Sequence, residues 1–318
     1  MKATRFLIGV ALACLVAGAA AQTYPSKPVR LISPYPPGGG TDAVARVIAQ
    51  ALSEQLGQQF VVDTRGGASG LIGTEVAARS PADGYTLVLG NVAPLAILPV
   101  AMTKLPYNPI RDFSPISLLA LSDYVLVVHP SVPAKSVREI IALAKARPGE
   151  LTYASSGNLG APHMAGELLN LLANVNIVHI PYKGNGPAAI AVMTGETTMM
   201  FGTGPSVVPH IKTGRIRALA TTGSKRSMPD LPAMSELLPG YNVTQWYGLL
   251  APAGTPKGII NQLHTEVVKA IASTKVAQLL VSEGTQPIST TPDEFQAFIK
   301  AEMAKWDKVV KTANIKAD

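Results

Sequence analysis

Short apolar runs alternate with longer amphipathic segments along most of this sequence. Residues 29–33 (VRLIS) and 85–89 (YTLVL) have the length and β-branched content of buried strands, whereas residues 43–56 repeat apolar positions with the period of a helix. Strand and helix signals continue to alternate through the first two thirds of the chain. This order predicts an α/β fold with two mixed, mostly parallel sheets that are flanked by helices.

Five of the predicted strands run into a loop rich in glycine, serine or proline that opens a predicted helix. The first N–H groups of a helix lack intrahelical partners and carry a partial positive charge, so each loop can hold an anion without a cationic side chain. Ligands of open α/β sheets lie beyond the carboxyl ends of the strands, so we expect one shared cleft. The loops are PYPPGGGTD (34–42), RGGASG (65–70), SSGNLG (155–160), PYKGNG (181–186) and GTGPS (202–206).

Two changes of pattern divide the chain into lobes. The continuous apolar run YVLVV at 124–128 begins a second group of strands, and after residue 241 the pattern turns to WYGLLAP at 246–252 and then mainly to helices. The apolar stripe of the last helix needs a core to pack on, and the first group of strands is the natural candidate. We therefore expect residues 22–123 and 243–318 to form one discontinuous lobe and residues 124–242 to form the other.

The N-terminus has the order of a secretory signal peptide. Lys2 and Arg5 precede an apolar run at 6–17, which small residues follow. This run is too short for a retained membrane anchor, which is the alternative. We therefore expect cleavage after Ala21, which removes residues 1–21 and leaves an exported protein. Cys14, the only cysteine, lies in this segment, so the exported chain would have neither a disulfide nor thiolate chemistry.

Composition and motifs exclude several classes of protein. The formal net charge is +7 in 318 residues, but the basic residues are scattered and lack the clustering that nucleic-acid binding needs. Phosphate-binding, dinucleotide-binding, nucleophile-elbow and zinc-protease motifs are absent, and the histidines lack metal-ligand spacing. We therefore expect a binding protein rather than an enzyme, with no cofactor and no metal.

Several polar side chains in the loops have two interpretations each. Asp42 either stabilises the start of its helix or holds water or a ligand amine, and Lys183 either contacts a ligand carboxylate or is a solvated lysine. Arg65 is as plausible in an ion pair with Asp63 as in a ligand contact, and His163 more often packs or caps than binds. The polar residues Ser155, Ser156, Asn158 and Thr203 either donate to a carboxylate or satisfy loop backbone.

Four motifs stand out along the chain: PYPPGGGTD (34–42, followed by Ala45 and Arg46), PADGYTL (81–87), HIPYKG (179–184) and APAGTP (251–256). Together they resemble the Bug family, the periplasmic receptors of tripartite tricarboxylate transporters. The similarity runs in order from about Tyr24 to the C-terminus, and it implies a type II periplasmic-binding-protein fold with an inserted second domain. It also implies a periplasmic location and capture of a carboxylate by loop backbone and ordered waters.

Loop chemistry and family resemblance together define the expected ligand-binding residues. Two departures from the family pattern leave the ligand undetermined: GNLGAPH at 157–163 replaces a Gly-x-Gly-Ser run, and Thr197-Thr198 replaces an acidic residue. The expected residues are Tyr35, Pro37, Gly38, Gly39, Thr41, Asp42, Ala68, Ser69, Ser155, Ser156, Asn158, Gly160, Ala161, His163, Lys183, Gly184, Asn185 and Thr203.

The resulting functional expectation is an extracytoplasmic solute-binding protein. We expect a monomer that closes its lobes on a small carboxylate and delivers it to the large and small membrane subunits of a permease. One alternative is a sensor protein that presents its ligand to a membrane kinase. Another is a cleft hydrolase, for example with His163 near Ser156.

Overall fold

The structure, a computed structural model, describes residues 24–312 and residue 315. The expected signal segment, residues 1–21, lies outside the described residues. No helix in the described part of the chain combines the length and apolar character needed to cross a bilayer.

The strands and helices alternate as the sequence predicts. In chain order the strands are β1 (Val29–Ser33), β2 (Phe60–Thr64), β3 (Thr86–Asn91), β4 (Phe113–Asp123), β5 (Val125–Val128), β6 (Thr152–Ser155), β7 (Val178–Pro181), β8 (Met199–Gly202), β9 (Arg217–Thr221), β10 (Thr244–Pro252) and β11 (Gln286–Pro287). The helices are α1 (Gly40–Leu56), α2 (Leu71–Ala78), α3 (Leu98–Ala101), α4 (Val137–Ala146), α5 (Ala161–Ala173), α6 (Asn185–Met193), α7 (Gly204–Lys212), α8 (Met234–Leu237), α9 (Lys257–Ala272), α10 (Thr274–Ser282) and α11 (Pro292–Thr312).

Two sheets organise these strands. The first has the order β11-β4-β10-β3-β1-β2 and the second has the order β7-β6-β8-β5-β9. We call the first sheet with its helices the first lobe, and the second sheet with its helices the second lobe. The α/β class with two mixed sheets is therefore confirmed.

Most strands of each sheet point the same way, as expected: β1, β2, β3 and β4 share one direction in the first sheet, and β6, β7, β8 and β9 share one direction in the second. β1 pairs in parallel with β2 and β3, and β6 with β7 and β8, whereas β4, β5 and β10 make only antiparallel pairings. The physical reason is that these three strands lie next to the passages between the sheets. Their direction is set by the return of the chain rather than by a helical crossover.

Helix α1 covers one face of the first sheet. Its buried positions Val44, Ile48 and Leu52 recur with helical spacing and belong to the same apolar cluster as the strand residues Leu31 and Leu87. The helix starts at Gly40, three residues before the predicted start, because glycine and threonine hide its first turn from an apolar pattern. It ends at a glycine in the left-handed conformation, a common helix terminator.

The C-terminal helices pack beside the first sheet. β11 pairs with β4, and the Thr290 amide N–H donates to the Ser117 hydroxyl at 3.1 Å. The α11 side chains Phe295 and Trp306 are fully buried, and the Trp246 indole donates to Glu302 at 3.2 Å. Strands from both ends of the chain thus share the first sheet.

The two passages between the sheets meet at Thr222. Only Tyr124 separates β4 from β5, and Val243 directly precedes β10. The buried Thr222 hydroxyl accepts from the Tyr124 amide N–H at 2.9 Å and donates to the Val243 carbonyl oxygen at 2.6 Å. One side chain therefore ties both passages together.

Replacing this hydroxyl should destabilise the protein. Thr222→Val keeps the shape of the side chain but leaves the buried Tyr124 N–H without its partner, which should lower the free energy of unfolding by roughly 1–3 kcal/mol. Urea denaturation measures the change. The same substitution at the exposed Thr265 should change the free energy by less than about 0.5 kcal/mol. Equal effects at the two positions would contradict this role of Thr222.

Candidate functional site

Two cavities with shared walls lie where loops of the two lobes face each other. The larger has a volume of about 1010 Å³ and the smaller about 220 Å³. Loops that follow β1 and β2 in the first lobe and β6 and β7 in the second line the larger cavity. The residues common to both walls are Tyr35, Pro36, Ser156, Lys183 and Gly184.

The five helices that begin at these cavities lack side-chain caps. The N-cap residues of α1, α2, α5, α6 and α7 are four glycines and Thr203, and none accepts a capping hydrogen bond with its side chain. By contrast, Ser136 caps α4 and Ser273 caps α10, both outside the cavity walls. The starts of α1, α5, α6 and α7 all line the smaller cavity. Backbone N–H groups therefore converge there from both lobes.

A buried polar network fixes the first loop. The Tyr35 hydroxyl donates to the Ser69 carbonyl oxygen at 2.8 Å, and it lies 3.3 Å from the Asn91 side-chain oxygen. The Asn91 amide in turn donates to the Thr41 hydroxyl at 3.2 Å. This network joins the loops after β1 and β2 to the end of β3. It holds the start of α1 in one geometry, and burial raises the pKa of the Tyr35 hydroxyl well above its usual range.

Ser69 connects the two lobes directly. Its hydroxyl donates to the Asn158 carbonyl oxygen at 2.5 Å. Ala68, Ser69 and Leu159 all have positive φ angles, a conformation that costs a residue other than glycine about 1–3 kcal/mol. Because all three line the larger cavity, backbone strain is concentrated where the loops of the two lobes meet.

A histidine pair forms part of the second-lobe wall. The His163 and His179 rings stack with centroids 4.0 Å apart, and the Tyr153 ring stacks on His179 at 5.0 Å. His163 Nδ1 accepts from the Leu159 amide N–H at 3.0 Å, and His179 Nε2 lies 2.6 Å from the buried Ser155 hydroxyl. These bonds fix the rings in place, so the packing role considered for His163 is present alongside its position in the cavity wall.

Burial keeps both rings neutral near neutral pH. Burial lowers the pKa of His163 to about 4, although the Glu167 carboxylate lies 3.8 Å from its Nε2 atom. Burial and the neighbouring His163 ring lower the pKa of His179 to about 3. The wall therefore adds hydrogen-bonding groups without positive charge.

This pair should make stability depend on pH. In the unfolded chain each ring has a pKa near about 6.5, so between that pH and about 4 the unfolded state binds more protons than the folded state. The free energy of unfolding should therefore fall as the pH is lowered through this range. In urea titrations the fall should be shallower for the double variant His163→Gln, His179→Gln than for the wild type. Parallel pH curves for the two proteins would contradict the assignment.

Most of the expected binding residues come together in the cavity walls. All of them line one or both cavities except Asp42, Ser155 and Gly160. Asp42 accepts from the Gly38 amide N–H at 3.3 Å and from Arg46 at 2.9 Å, so its contacts stabilise the first turn of α1. Ser155 is fully buried, and Gly160 is the N-cap of α5.

The two cationic loop residues, Arg65 and Lys183, differ in their surroundings. Arg65 pairs with Asp63 at 3.1 Å, the ion pair considered from the sequence, and it lines neither cavity. Lys183 lines both cavities, so its ammonium group is available to a ligand. It lies beside the uncapped start of α6.

Sequence reasoning missed several residues in the walls. Tyr124, Gln245 and Tyr247 line the smaller cavity because they lie where the chain passes between the lobes, and Glu167 and His179 line the larger one. A polar Gln245 within an apolar strand was the one available signal. In the described part of the chain, the buried side-chain oxygens of Asn185 and Gln245 have no hydrogen-bond partner.

The described residues contain no cluster of three potential metal ligands. The polar groups that line the two cavities are backbone N–H groups, neutral polar side chains, the Lys183 ammonium group and the Glu167 carboxylate. Such a set can bind and orient an anion.

Comparison with known proteins finds close relatives. A family model described as the tripartite tricarboxylate transporter family receptor matches residues 44–315. Protein BugT of Bordetella pertussis is 39% identical over 324 residues, which cover 99% of this chain and 99% of that protein.

Two solved structures of related proteins contain acids. The R. palustris protein with adipate has a TM-score of 0.89 and 36% identity, covering 92% of this chain and 99% of that chain. MatC from Rhodopseudomonas palustris with bound malate has a TM-score of 0.84 and 29% identity, covering 90% of this chain and 100% of that chain.

Proposed function

Because the chain belongs to the tripartite tricarboxylate transporter receptor family, we propose that it captures a small carboxylate-bearing solute between its lobes. In this proposal the exported chain is a periplasmic monomer that delivers its ligand to the large and small membrane subunits of a permease. The adipate and malate in the related structures support a carboxylate as the ligand class.

The convergence of four uncapped helix starts on the smaller cavity carries this proposal. A carboxylate placed there accepts hydrogen bonds from backbone N–H groups that no side chain satisfies. Lys183 is the only ionised side chain among the described residues of this wall, and its positive charge also favours a bound carboxylate. The buried amide oxygens of Asn185 and Gln245 accept from ordered water or from a hydroxyl of the ligand.

Closure of the lobes follows from the same geometry. The carboxylate contacts α1 in the first lobe and α5, α6 and α7 in the second, so the closed state binds it better than the open state. We propose that the lobes, residues 22–123 with 243–318 and residues 124–242, rotate about the two passages that Thr222 ties together. The Ser69 contact with Asn158 then belongs to the closed state.

The serine and histidine residues near the cavities suit binding better than hydrolysis. Ser155 lies near His179 Nε2, but its hydroxyl is fully buried and also accepts from the Gly157 amide N–H at 3.1 Å. A histidine with a pKa of about 3 is also a weak base for activating a nucleophile at neutral pH. Ser156 makes no hydrogen bond to His163, whose Nδ1 atom accepts from Leu159.

The substitution Gly39→Asp tests whether the N–H groups at the start of α1 bind the carboxylate of the ligand. Gly39 has a φ of −99°, and a Cβ atom there meets only the Pro36 carbonyl oxygen, at 4.0 Å, so Gly39→Asp fits without strain. Its carboxylate would cap α1 and occupy the N–H groups offered to the ligand. We expect a mono- or dicarboxylate that raises the melting temperature of the exported wild-type chain to bind this variant at least about a hundredfold more weakly.

The matched control is Gly39→Ala, which adds bulk without a hydrogen-bonding group and should keep the affinity within about tenfold of the wild type. Calorimetric titration measures both affinities, and the melting temperature of the free aspartate variant should not fall. Unchanged affinity in Gly39→Asp would show that α1 is not the anchor. A broad carboxylate screen without any thermal shift would refute the proposed function.

A further inference from the structure

The larger cavity extends well beyond the helix starts that hold the carboxylate. Its volume of about 1010 Å³ lies at the upper end of the roughly 300–1,000 Å³ typical of small-molecule sites. Leu71, Leu98, Met102 and Leu159 contribute apolar surface to its wall. A very short acid would leave most of this surface in contact with water, so the volume and lining favour a ligand with an extended apolar body.

The ionised side chains of the two walls differ in position. Among the described residues that line either cavity, Lys183 and Glu167 alone are ionised. Lys183 lines both cavities, whereas Glu167 lines the larger one only. One carboxylate of a ligand is therefore favoured in the smaller cavity beside Lys183, and a second carboxylate beside Glu167 in the larger cavity meets a like charge.

Glu167 and His163 present one acceptor and one donor side by side. The Tyr153 hydroxyl donates to Glu167 Oε1 at 2.6 Å, and no hydrogen bond within the described residues reaches Glu167 Oε2. Because His163 Nδ1 accepts from the Leu159 amide N–H, its neutral ring carries the proton on Nε2, 3.8 Å from Glu167 Oε1. No described group accepts a hydrogen bond from this Nε2 atom.

A hydroxyl group complements this pair in both directions. It donates its proton to the Glu167 carboxylate and accepts from His163 Nε2. A second carboxylate lacks the proton that Glu167 accepts, and an ammonium group lacks the lone pair that His163 requires.

We propose that Glu167 and His163 form a hydroxyl-selective distal subsite, and that the preferred solute is a monocarboxylate with an apolar body and a hydroxyl at its far end. This inference rests on the proposed function, because the carboxylate anchor in the smaller cavity orients the ligand toward the subsite. It separates this chain from receptors that hold a second carboxylate at the far end.

Two series of acids that differ only at the far end test the subsite. The aliphatic series is hexanoate, ω-hydroxyhexanoate and adipate, and the aromatic series is phenylacetate, para-hydroxyphenylacetate and para-carboxyphenylacetate. In calorimetric titrations of the exported wild-type chain, we expect the hydroxy acid of the better-fitting series to bind more tightly than its unsubstituted parent. It should also bind at least about tenfold more tightly than the dicarboxylate.

Glu167→Gln identifies the group responsible. The amide keeps an oxygen that can accept from Tyr153 but removes the negative charge, so the preference for the hydroxy acid over the dicarboxylate should fall at least about tenfold. Most of this change should come from tighter binding of the dicarboxylate. Glu150→Gln is the matched control, because this exposed residue of the second lobe lines neither cavity, and it should leave the preference unchanged.

The distal subsite and the carboxylate function on which it rests fail under different results. A wild-type protein that binds dicarboxylates as tightly as hydroxy acids, or an unchanged preference in Glu167→Gln, would overturn the distal subsite while the carboxylate function stands. Failure of all six acids to bind would overturn the subsite, and the carboxylate function would fall with it only if the broad carboxylate screen also gave no thermal shift.

Discussion

The unsatisfied backbone N–H groups at the starts of five helices are the constraint on which this site depends. Buried or half-buried N–H groups need acceptors, and elsewhere in the molecule Ser136 and Ser273 supply them from their own side chains. Around the cleft the N-cap residues are mainly glycines, which have no side chain that could accept from these N–H groups. The chain thus forgoes local helix stability at the place where an external acceptor completes the hydrogen bonds. Because these helices belong to both lobes, the same acceptor also favours closure.

Neutral groups around the cleft make this arrangement selective. His163 and His179 are held uncharged by burial, so they add no attraction for further negative charge. The fixed backbone dipoles recognise one anionic group of the ligand. The other residues of the cavity walls contact the rest of the ligand and determine which ligands fit. Strained loop residues such as Ser69 and Leu159 lie at this contact between the lobes, where strain is offset by contacts that the closed structure supplies.

The sequence predicts those features of the fold and of the site that depend on a local pattern of residues. β1 begins and ends where the apolar run at 29–33 places it, and the five loops meet in one cleft. The sequence does not predict the long strand β4, because Pro115 and the serines of this strand interrupt the alternation of apolar and polar residues that marks a strand. Its antiparallel pairing depends on β10, more than a hundred residues away, which no local pattern encodes. Glu167 was missed for a similar reason: only the packing of α5 against Tyr153 brings its carboxylate to the cavity.

A crystal structure of the exported chain with a bound carboxylate tests the central claim most directly. The account predicts that the carboxylate oxygens lie within about 3.2 Å of backbone nitrogens in the first turn of α1 and in the first turn of α6 or α7, with both lobes in contact with the ligand. A carboxylate held by side chains alone, or bound to a single lobe with the helix starts left to water, would contradict it.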